Sequence, residues 1–207
     1  MGYVPDGEEN RQMQMVHTKA WTLEELDRLP DDGNKYELVR GELFVSPAPS
    51  VGHESLVSLL RQMIEPYVIR HGLGRVFGPR AVVRARGSEV EPDLMVRPLA
   101  LPLPDSWADA PLPILVVETL SNATRRRDHG QKRDFYLDLG IAEYWIVDGE
   151  HRTIRVIRPG HEDVVADVDL IWHPEPAPNA LVIDVRAYFR DALGGEERKG
   201  PSTELIT

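Results

Sequence analysis

The chain has 207 residues, with 24 basic and 34 acidic side chains, a net charge of −10 and no cysteine. This length fits one domain with flanking segments, and the lack of cysteine excludes disulfides, thiolate zinc sites, iron–sulfur clusters and cysteine nucleophiles. No run of about 18 apolar residues exists and the first residues are polar and acidic, so neither a membrane span nor a signal peptide is indicated. We therefore expect a soluble cytoplasmic protein.

The N-terminal part is predicted to contain an arm, a short helix and a hairpin. Residues 1–15 are polar and have the composition of a flexible arm. A capping box at residues 22–25 begins a helix that ends before Pro30. Residues 36–46 alternate between apolar and polar side chains, which predicts two strands joined as a hairpin.

A long helix and several strands are predicted next. Ser50 is a suitable N-cap for a helix over residues 52–70, and Pro66 within it predicts a kink. Strands are expected near residues 75–77, 81–86 and 90–96, followed by a proline-rich loop at 98–113.

The C-terminal half begins with a buried strand. The apolar run from Ile114 to Val117 is typical of a central strand covered on both faces. A second helix is expected over residues 125–139, closed by Gly140. Short strands are expected at residues 143–148, 152–158, 164–168 and 181–185, then a helical turn at 187–193 and a disordered tail at 194–207. This order predicts an α/β or α+β domain over residues 16–193 with one mixed sheet.

The positive charge is concentrated in two stretches. Residues 61–97 hold seven arginines against four acidic residues, and residues 121–133 hold five basic residues against one acidic residue. The net charge of −10 argues against a protein that coats nucleic acid without specificity, but the basic stretches are compatible with binding at a local site.

Lysine is rare, with four residues against twenty arginines. Lys19 and Lys199 lie near the termini and Lys35 lies beside a turn, so Lys132 is the lysine expected in the interior. Lysine carries a compact charge whose pKa can be lowered, whereas arginine stays charged and planar. Lys132 is therefore a candidate for a chemical role, with chance placement as the alternative.

Two carboxylates and one ion pair stand out. Glu118 ends the buried apolar run, where an unpaired carboxylate is costly, although a solvated strand end is the alternative. Asp93 follows Pro92 and interrupts an apolar strand, although aspartate after proline is also common in turns. Lys132 and Asp128 are four residues apart on the second helix, a spacing that also fits an ordinary surface pair.

The order Pro92-Asp93, Glu118 and a later lysine resembles the PD-(D/E)XK nuclease superfamily. Leu120 stands where the usual lysine follows the acid, which points to a subfamily whose lysine lies on the next helix, as Lys132 does. Over about residues 22–185 the chain resembles the Uma-two-type restriction endonuclease family. The matching segments are residues 36–43, 47–53, 117–121, 128–136 and 140–148.

The resemblance implies a restriction-endonuclease-like fold, a divalent ion and hydrolysis of phosphodiester bonds, in DNA more than in RNA. Asp93 and Glu118 would bind Mg²⁺ or Mn²⁺ together with the carbonyl of Thr119, because these ions prefer oxygen ligands. Lys132 would orient the attacking water or stabilise charge on the phosphate. Glu37 is assigned as an outer metal ligand or as the partner of Lys132, with an exposed hairpin carboxylate as the alternative.

Further positions are assigned to substrate binding. His53 matches a family histidine and would touch phosphate or metal-bound water, unless it is an ordinary surface histidine. The cluster Arg125-Arg126-Arg127 begins the second helix and suits phosphate binding, unless it is a solvated run of charge. Tyr136, in a matching helical segment, joins this set.

The assembly and two other functions complete the expectations. We expect a homodimer or a higher homo-oligomer, because cutting both strands of a duplex requires two sites. A second hypothesis is a binding or regulatory module that keeps the nuclease fold without turnover. A third, a hydrolase that uses Ser46 or Ser50 with His53, is weaker because no Gly-x-Ser-x-Gly elbow is present.

Overall fold

The computed structural model describes residues 19–121 and 128–195. The predicted arm at residues 1–15, the start of the predicted second helix and most of the predicted tail lie outside the described residues. The described segments combine helices with one mixed sheet and two antiparallel sheets, which confirms the predicted α/β (α+β) class.

The boundaries of the helices and strands follow in chain order. Helices α1 and α2 span Leu23–Leu26 and Val51–Arg70, a π-helical turn at Asp128–Lys132 leads into α3 at Arg133–Leu139, and α4 spans Val185–Leu193. The strands are β1 (Lys35–Val39), β2 (Glu42–Ser46), β3 (Arg75–Phe77), β4 (Val83–Ala85), β5 (Ser88–Val90), β6 (Leu94–Arg97), β7 (Leu115–Thr119), β8 (Glu143–Asp148), β9 (Thr153–Ile157), β10 (Val164–Ala166), β11 (Asp169–Trp172) and β12 (Leu181–Asp184).

A six-stranded mixed sheet forms the centre of the protein. Its order is β10-β9-β8-β7-β6-β3, in which β7 and β8 run parallel and the other neighbours run antiparallel. All residues of β7 are buried, as the apolar run predicts for a strand covered on both faces. The strand continues through Glu118 to Thr119, so the acid lies within the strand rather than after it.

Each face of the central sheet carries its own apolar cluster. On one face, Leu60 of α2 and Phe189 of α4 pack with Trp145 of β8. On the other face, Val116 of β7 packs with Phe135 of α3 and with residues of the smaller sheet that contains β1. Full burial of one such side chain contributes about 1.5–3 kcal/mol, so these two layers are a main source of stability.

The prediction of a single sheet is wrong, because the described strands form three sheets. β1 and β2 pair as the predicted hairpin within a four-stranded sheet of order β2-β1-β5-β4, and β11 pairs with β12. The strand predicted at residues 90–96 is divided into β5 of the smaller sheet and β6 of the central sheet. Pro92 has no amide hydrogen for a strand ladder, so the chain leaves one sheet there and enters the other.

Local capping residues set the helix boundaries. Thr22 forms the predicted capping box of α1, and Ser50 caps α2. Helix α2 stays continuous through Pro66, where the sequence predicts a kink. Helix α4 is longer than the predicted turn at residues 187–193, because Asp184 caps it from an earlier position. Strand β11 is not predicted by the sequence.

Within residues 19–121 and 128–195, no helix is both long enough and apolar enough to cross a bilayer.

Gly74, between α2 and β3, approaches the end of β6 so closely that no side chain fits. A Cβ atom at this position would lie 2.1 Å from the Arg97 carbonyl oxygen, and φ is +130°. We predict that Gly74→Ala lowers the free energy of unfolding, measured by urea denaturation, by about 3 kcal/mol or more, because the backbone must move. Gly72→Ala is the matched control: with φ at +62° and open space around it, it should cost only about 1 kcal/mol. Equal losses in the two variants would contradict this explanation.

Candidate active site

A cleft of about 770 Å³ opens at the end of the central sheet where β6 begins and β7 ends. Because these strands are antiparallel, with Leu94 opposite Val117, the residue before β6 meets the last residues of β7. The first turn of α2 and the start of β1 also border the cleft. The candidate functional residues that line it are Lys35, His53, Asp93, Glu118 and Thr119.

The Asp93 carboxylate is held by three partners. Its Oδ2 accepts a hydrogen bond from the Thr119 amide at 2.7 Å and lies 3.1 Å from His53 Nε2, and its Oδ1 lies 3.3 Å from Lys35 Nζ. Burial alone would raise the pKa of Asp93, but the charge of Lys35 and the hydrogen bonds from His53 and Thr119 hold it well below its usual range. Asp93 is therefore an ionised carboxylate on the cleft wall.

The Glu118 carboxylate has a different environment. Its Oε1 accepts hydrogen bonds from Lys132 Nζ and from the Tyr136 hydroxyl, both at 2.8 Å. Burial raises the pKa of Glu118 to about 7, against the opposing charges of Lys132 and Lys35. The two acids of the cleft thus differ, since their surroundings lower the pKa of Asp93 and raise the pKa of Glu118.

Lys132 lies at the centre of a buried acidic cluster. Its side chain has no exposed surface, and its ammonium lies 2.8 Å from both Glu37 Oε1 and Glu118 Oε1 and 3.7 Å from Asp128 Oδ1. Burial alone would lower the pKa of Lys132, but the charges of Glu118 and Glu37 raise it above its usual value. Lys132 and Asp128 are both buried in the π-helical turn, so the alternative that they form an ordinary surface pair is wrong.

Glu37 is fully buried in β1, which excludes the alternative of an exposed hairpin carboxylate. Its Oε1 accepts the Glu91 amide at 2.9 Å in addition to its contact with Lys132. Glu37 therefore joins the smaller sheet to the segment that carries Asp93. It is absent from the described residues that line the cleft, so its position fits the partner of Lys132 better than an outer metal ligand.

Lys35 is a site residue to which the sequence analysis assigns no role. Its Nζ lies 3.3 Å from Asp93 Oδ1 and 3.8 Å from Glu37 Oε1. Burial opposes the charged form, but the charges of Glu37 and Asp93 raise the pKa of Lys35 above its usual value. The alternation of side chains along a strand could have identified Lys35, because residues two apart in β1 lie on the same face of the strand. Lys35 therefore lies on the same face as Glu37.

His53 lies in the first turn of α2 and lines the cleft, as its assignment to substrate binding requires. Burial would lower the pKa of His53, but its hydrogen bond with Asp93 raises it above the usual value. The hydroxyl of Ser50 accepts the backbone amide of His53 at 3.3 Å as a helix cap. This use of Ser50 gives no support to a serine nucleophile.

The other residues predicted to bind substrate have different positions. Tyr136 is fully buried and donates its hydroxyl to Glu118, so its position gives no support to the prediction that it contacts substrate. Helix α3 directs this ring into the apolar cluster beneath the cleft instead. Arg125, Arg126 and Arg127 lie outside the described residues.

The donor set at the cleft fits a hard divalent cation. Asp93 and Glu118 offer carboxylate oxygens from adjoining strand ends, next to Thr119, and Mg²⁺ and Mn²⁺ prefer oxygen ligands. The cluster around them combines four carboxylates with two lysines, namely Glu37, Asp93, Glu118 and Asp128 with Lys35 and Lys132. The carboxylates outnumber the lysines here, so a divalent ion would meet more anionic than cationic side chains.

Away from the cleft and nearer the surface, three other side chains bring possible ligand atoms together. Oxygen or nitrogen atoms of Asp148, Glu150 and His151 lie within 4.8 Å of one another. Asp148 Oδ1 accepts the backbone amides of the other two residues, which explains the grouping as a turn.

Comparison with known proteins identifies a family and a similar fold. A family model described as "Uma2: Putative restriction endonuclease" matches residues 23–186, which confirms the resemblance seen in the sequence. The crystal structure of "a putative nuclease belonging to DUF820" from Anabaena variabilis ATCC 29413 is similar with a TM-score of 0.69 and 20% identity, over 84% of this chain and 99% of that chain. At this identity the similarity concerns the fold alone. The search of curated proteins found no match.

We predict that loss of the positive charge of Lys132 destabilises the fold. Lys132→Met should lower the free energy of unfolding, measured by urea denaturation in EDTA, by about 3–5 kcal/mol, because three carboxylates would lose their shared buried partner. Lys19→Met is the matched control, since this side chain is 80% exposed and should leave the unfolding curve unchanged. A Lys132→Met protein as stable as wild type would show that the cluster does not depend on the lysine.

Proposed function

The chain belongs to the Uma2 family, and on that premise we propose that it is a metal-dependent endonuclease that hydrolyses phosphodiester bonds in nucleic acid, in DNA more than in RNA. One observation carries the proposal, namely that Asp93 and Glu118 lie on the wall of one open cleft. Two carboxylates at adjoining strand ends can share a divalent ion, and the cleft leaves room for a phosphate beside it.

Asp93 and Glu118, with the carbonyl of Thr119, would hold Mg²⁺ or Mn²⁺. When bound, the ion polarises a phosphoryl oxygen and lowers the pKa of an attacking water. Asp93 suits this role because it is ionised and oriented by the Thr119 amide. Glu118 is oriented by two donors, Lys132 and Tyr136, on a single oxygen.

The surrounding side chains have separate tasks. Lys132 is fully buried and holds Glu37 and Glu118 together. It therefore acts as a positioning residue rather than as the group that orients water. His53 lines the cleft and its Nε2 lies 3.1 Å from Asp93 Oδ2, so it would reach a phosphate oxygen by exchanging this hydrogen bond.

Nucleic acid must be bound largely outside this acidic cluster. Phosphates are attracted by Lys and Arg side chains and repelled by carboxylates, so the backbone of the substrate requires basic residues beside the cleft. Arg125, Arg126 and Arg127 remain the proposed phosphate contacts, because they follow Glu118 closely in the chain. A homodimer would place two clefts on one duplex.

We predict cleavage that depends on both a divalent ion and Asp93. Purified protein should cleave one or more of single-stranded DNA, duplex DNA, branched DNA and RNA with Mg²⁺ or Mn²⁺, and not with EDTA. Asp93→Asn should lower the cleavage rate by about 10²-fold or more, since the ion then loses a charged ligand. Asp109→Asn, an exposed aspartate in the proline-rich loop, is the matched control and should cleave like wild type.

Activity that survives unchanged in Asp93→Asn would indicate a contaminating nuclease. A complete absence of metal-dependent cleavage, combined with binding of one of the nucleic acids, would instead favour the module that keeps the fold without turnover.

We predict that the protein is a dimer in solution. Light scattering across micromolar concentrations should give a mass twice that of the 23.4 kDa chain. A mass of one chain throughout this range would contradict the dimer and would require two separate binding events to cut a duplex.

A further inference from the structure

Two lysines belong to the acidic cluster, but only one of them faces the cleft. Lys132 has no exposed side-chain surface, whereas the side chain of Lys35 is 20% exposed and lines the cleft beside Asp93. The resemblance to nucleases implies that Lys132 acts on the substrate. The geometry, however, places Lys35 and not Lys132 on the wall of the cleft.

The contacts of Lys132 leave it little freedom. Its ammonium has three N–H donors, and three carboxylates surround it, two of them at 2.8 Å. To reach a substrate in the cleft, Lys132 would have to leave Glu37 and Glu118 inside the protein without their cation, at a large cost. Lys132 is thus held in place.

The contacts of Lys35 are longer and lie at the surface of the same cluster. Its ammonium is 3.3 Å from Asp93 Oδ1 and 3.8 Å from Glu37 Oε1, and it lies at the first residue of β1. The side chain is a flexible stem that ends in a compact charge, so it can move within the cleft without moving the strand. Arg80, which also lines the cleft, is exposed and pairs with Asp31 at 3.4 Å.

Lys35 would compete with a metal ion for Asp93. Its positive charge lies against Asp93, one of the two carboxylates proposed to hold the ion. Two cations repel each other strongly at such separations, particularly where solvent is partly excluded. A divalent ion on Asp93 would therefore displace the Lys35 ammonium from its contact there.

We propose that Lys35, rather than Lys132, is the lysine that contacts the substrate: it neutralises Asp93 in the metal-free protein and turns to the scissile phosphate once an ion replaces it. This assignment rests on the proposed nuclease function. Lys35 then has two opposite effects, because it weakens metal binding and strengthens the stabilisation of charge on the phosphate. Lys132 remains the positioning residue for Glu37 and Glu118.

The test measures both effects in the same variants. Binding of Mn²⁺ to the full chain without nucleic acid is followed by calorimetry, and cleavage is followed in single turnovers at saturating Mn²⁺. Lys35→Met should bind Mn²⁺ about tenfold more tightly, since a nearby positive charge is removed, and should cleave about 10²-fold more slowly. Structural damage lowers both quantities, so tighter metal binding with slower cleavage distinguishes the proposed role.

Three further variants complete the comparison. Lys35→Gln is a second neutral variant and should behave as Lys35→Met does. The test therefore still holds when one of these two variants folds poorly. Lys35→Arg keeps the charge and should retain the Mn²⁺ affinity of wild type. Lys19→Met, at an exposed lysine, should leave affinity and rate unchanged.

The outcomes separate this inference from the function on which it rests. Wild-type protein that binds no Mn²⁺, or that binds it and cleaves none of the nucleic acids, overturns the proposed function, and this assignment with it. Wild-type protein that binds Mn²⁺ and cleaves, while both neutral variants bind Mn²⁺ no more tightly or cleave as fast, overturns the assignment of Lys35 alone.

Discussion

The buried contact of Lys132 with Glu37 and Glu118 is the interaction on which the site depends. It joins three parts of the chain that are distant in sequence: β1 of the smaller sheet, β7 of the central sheet and the π-helical turn before α3. A buried ion pair of this kind adds little net stability, because desolvation of the charges offsets their attraction. Its value lies in geometry, since the lysine holds Glu37 and Glu118 at fixed positions in the interior.

This constraint explains how two sheets form one cleft. Pro92 ends the pairing of β5, and the chain crosses to the central sheet with Asp93 at the crossing. Glu37 fixes the same crossing from the other sheet through the Glu91 amide. Asp93 and Glu118 face the same cleft because strand ends, a proline and a buried lysine coincide there, and their oxygens suit a divalent ion.

The fold was predictable where local rules decide it. The apolar run of β7, the capping residues Thr22 and Ser50 and the alternation of the hairpin each specify one element. The division of the strands among three sheets was not predictable, because Pro92 permits an edge, a bulge or a crossing equally well. For the site, spacing and resemblance pointed to Asp93, Glu118, Lys132 and Glu37, but burial separates those that face the cleft from those that support it.

The sequence by itself determined the class of fold, the family and the kinds of side chain available, since these follow from patterning and composition. It also limited any metal site to oxygen and nitrogen ligands, because the chain has no cysteine. Only the tertiary structure decided that Lys132 and Tyr136 lie beneath the cleft while Lys35 lines it. The reason is that the exposure of a side chain depends on how distant elements pack around it. Neither the spacing of residues in the sequence nor the number of lysines gives that information.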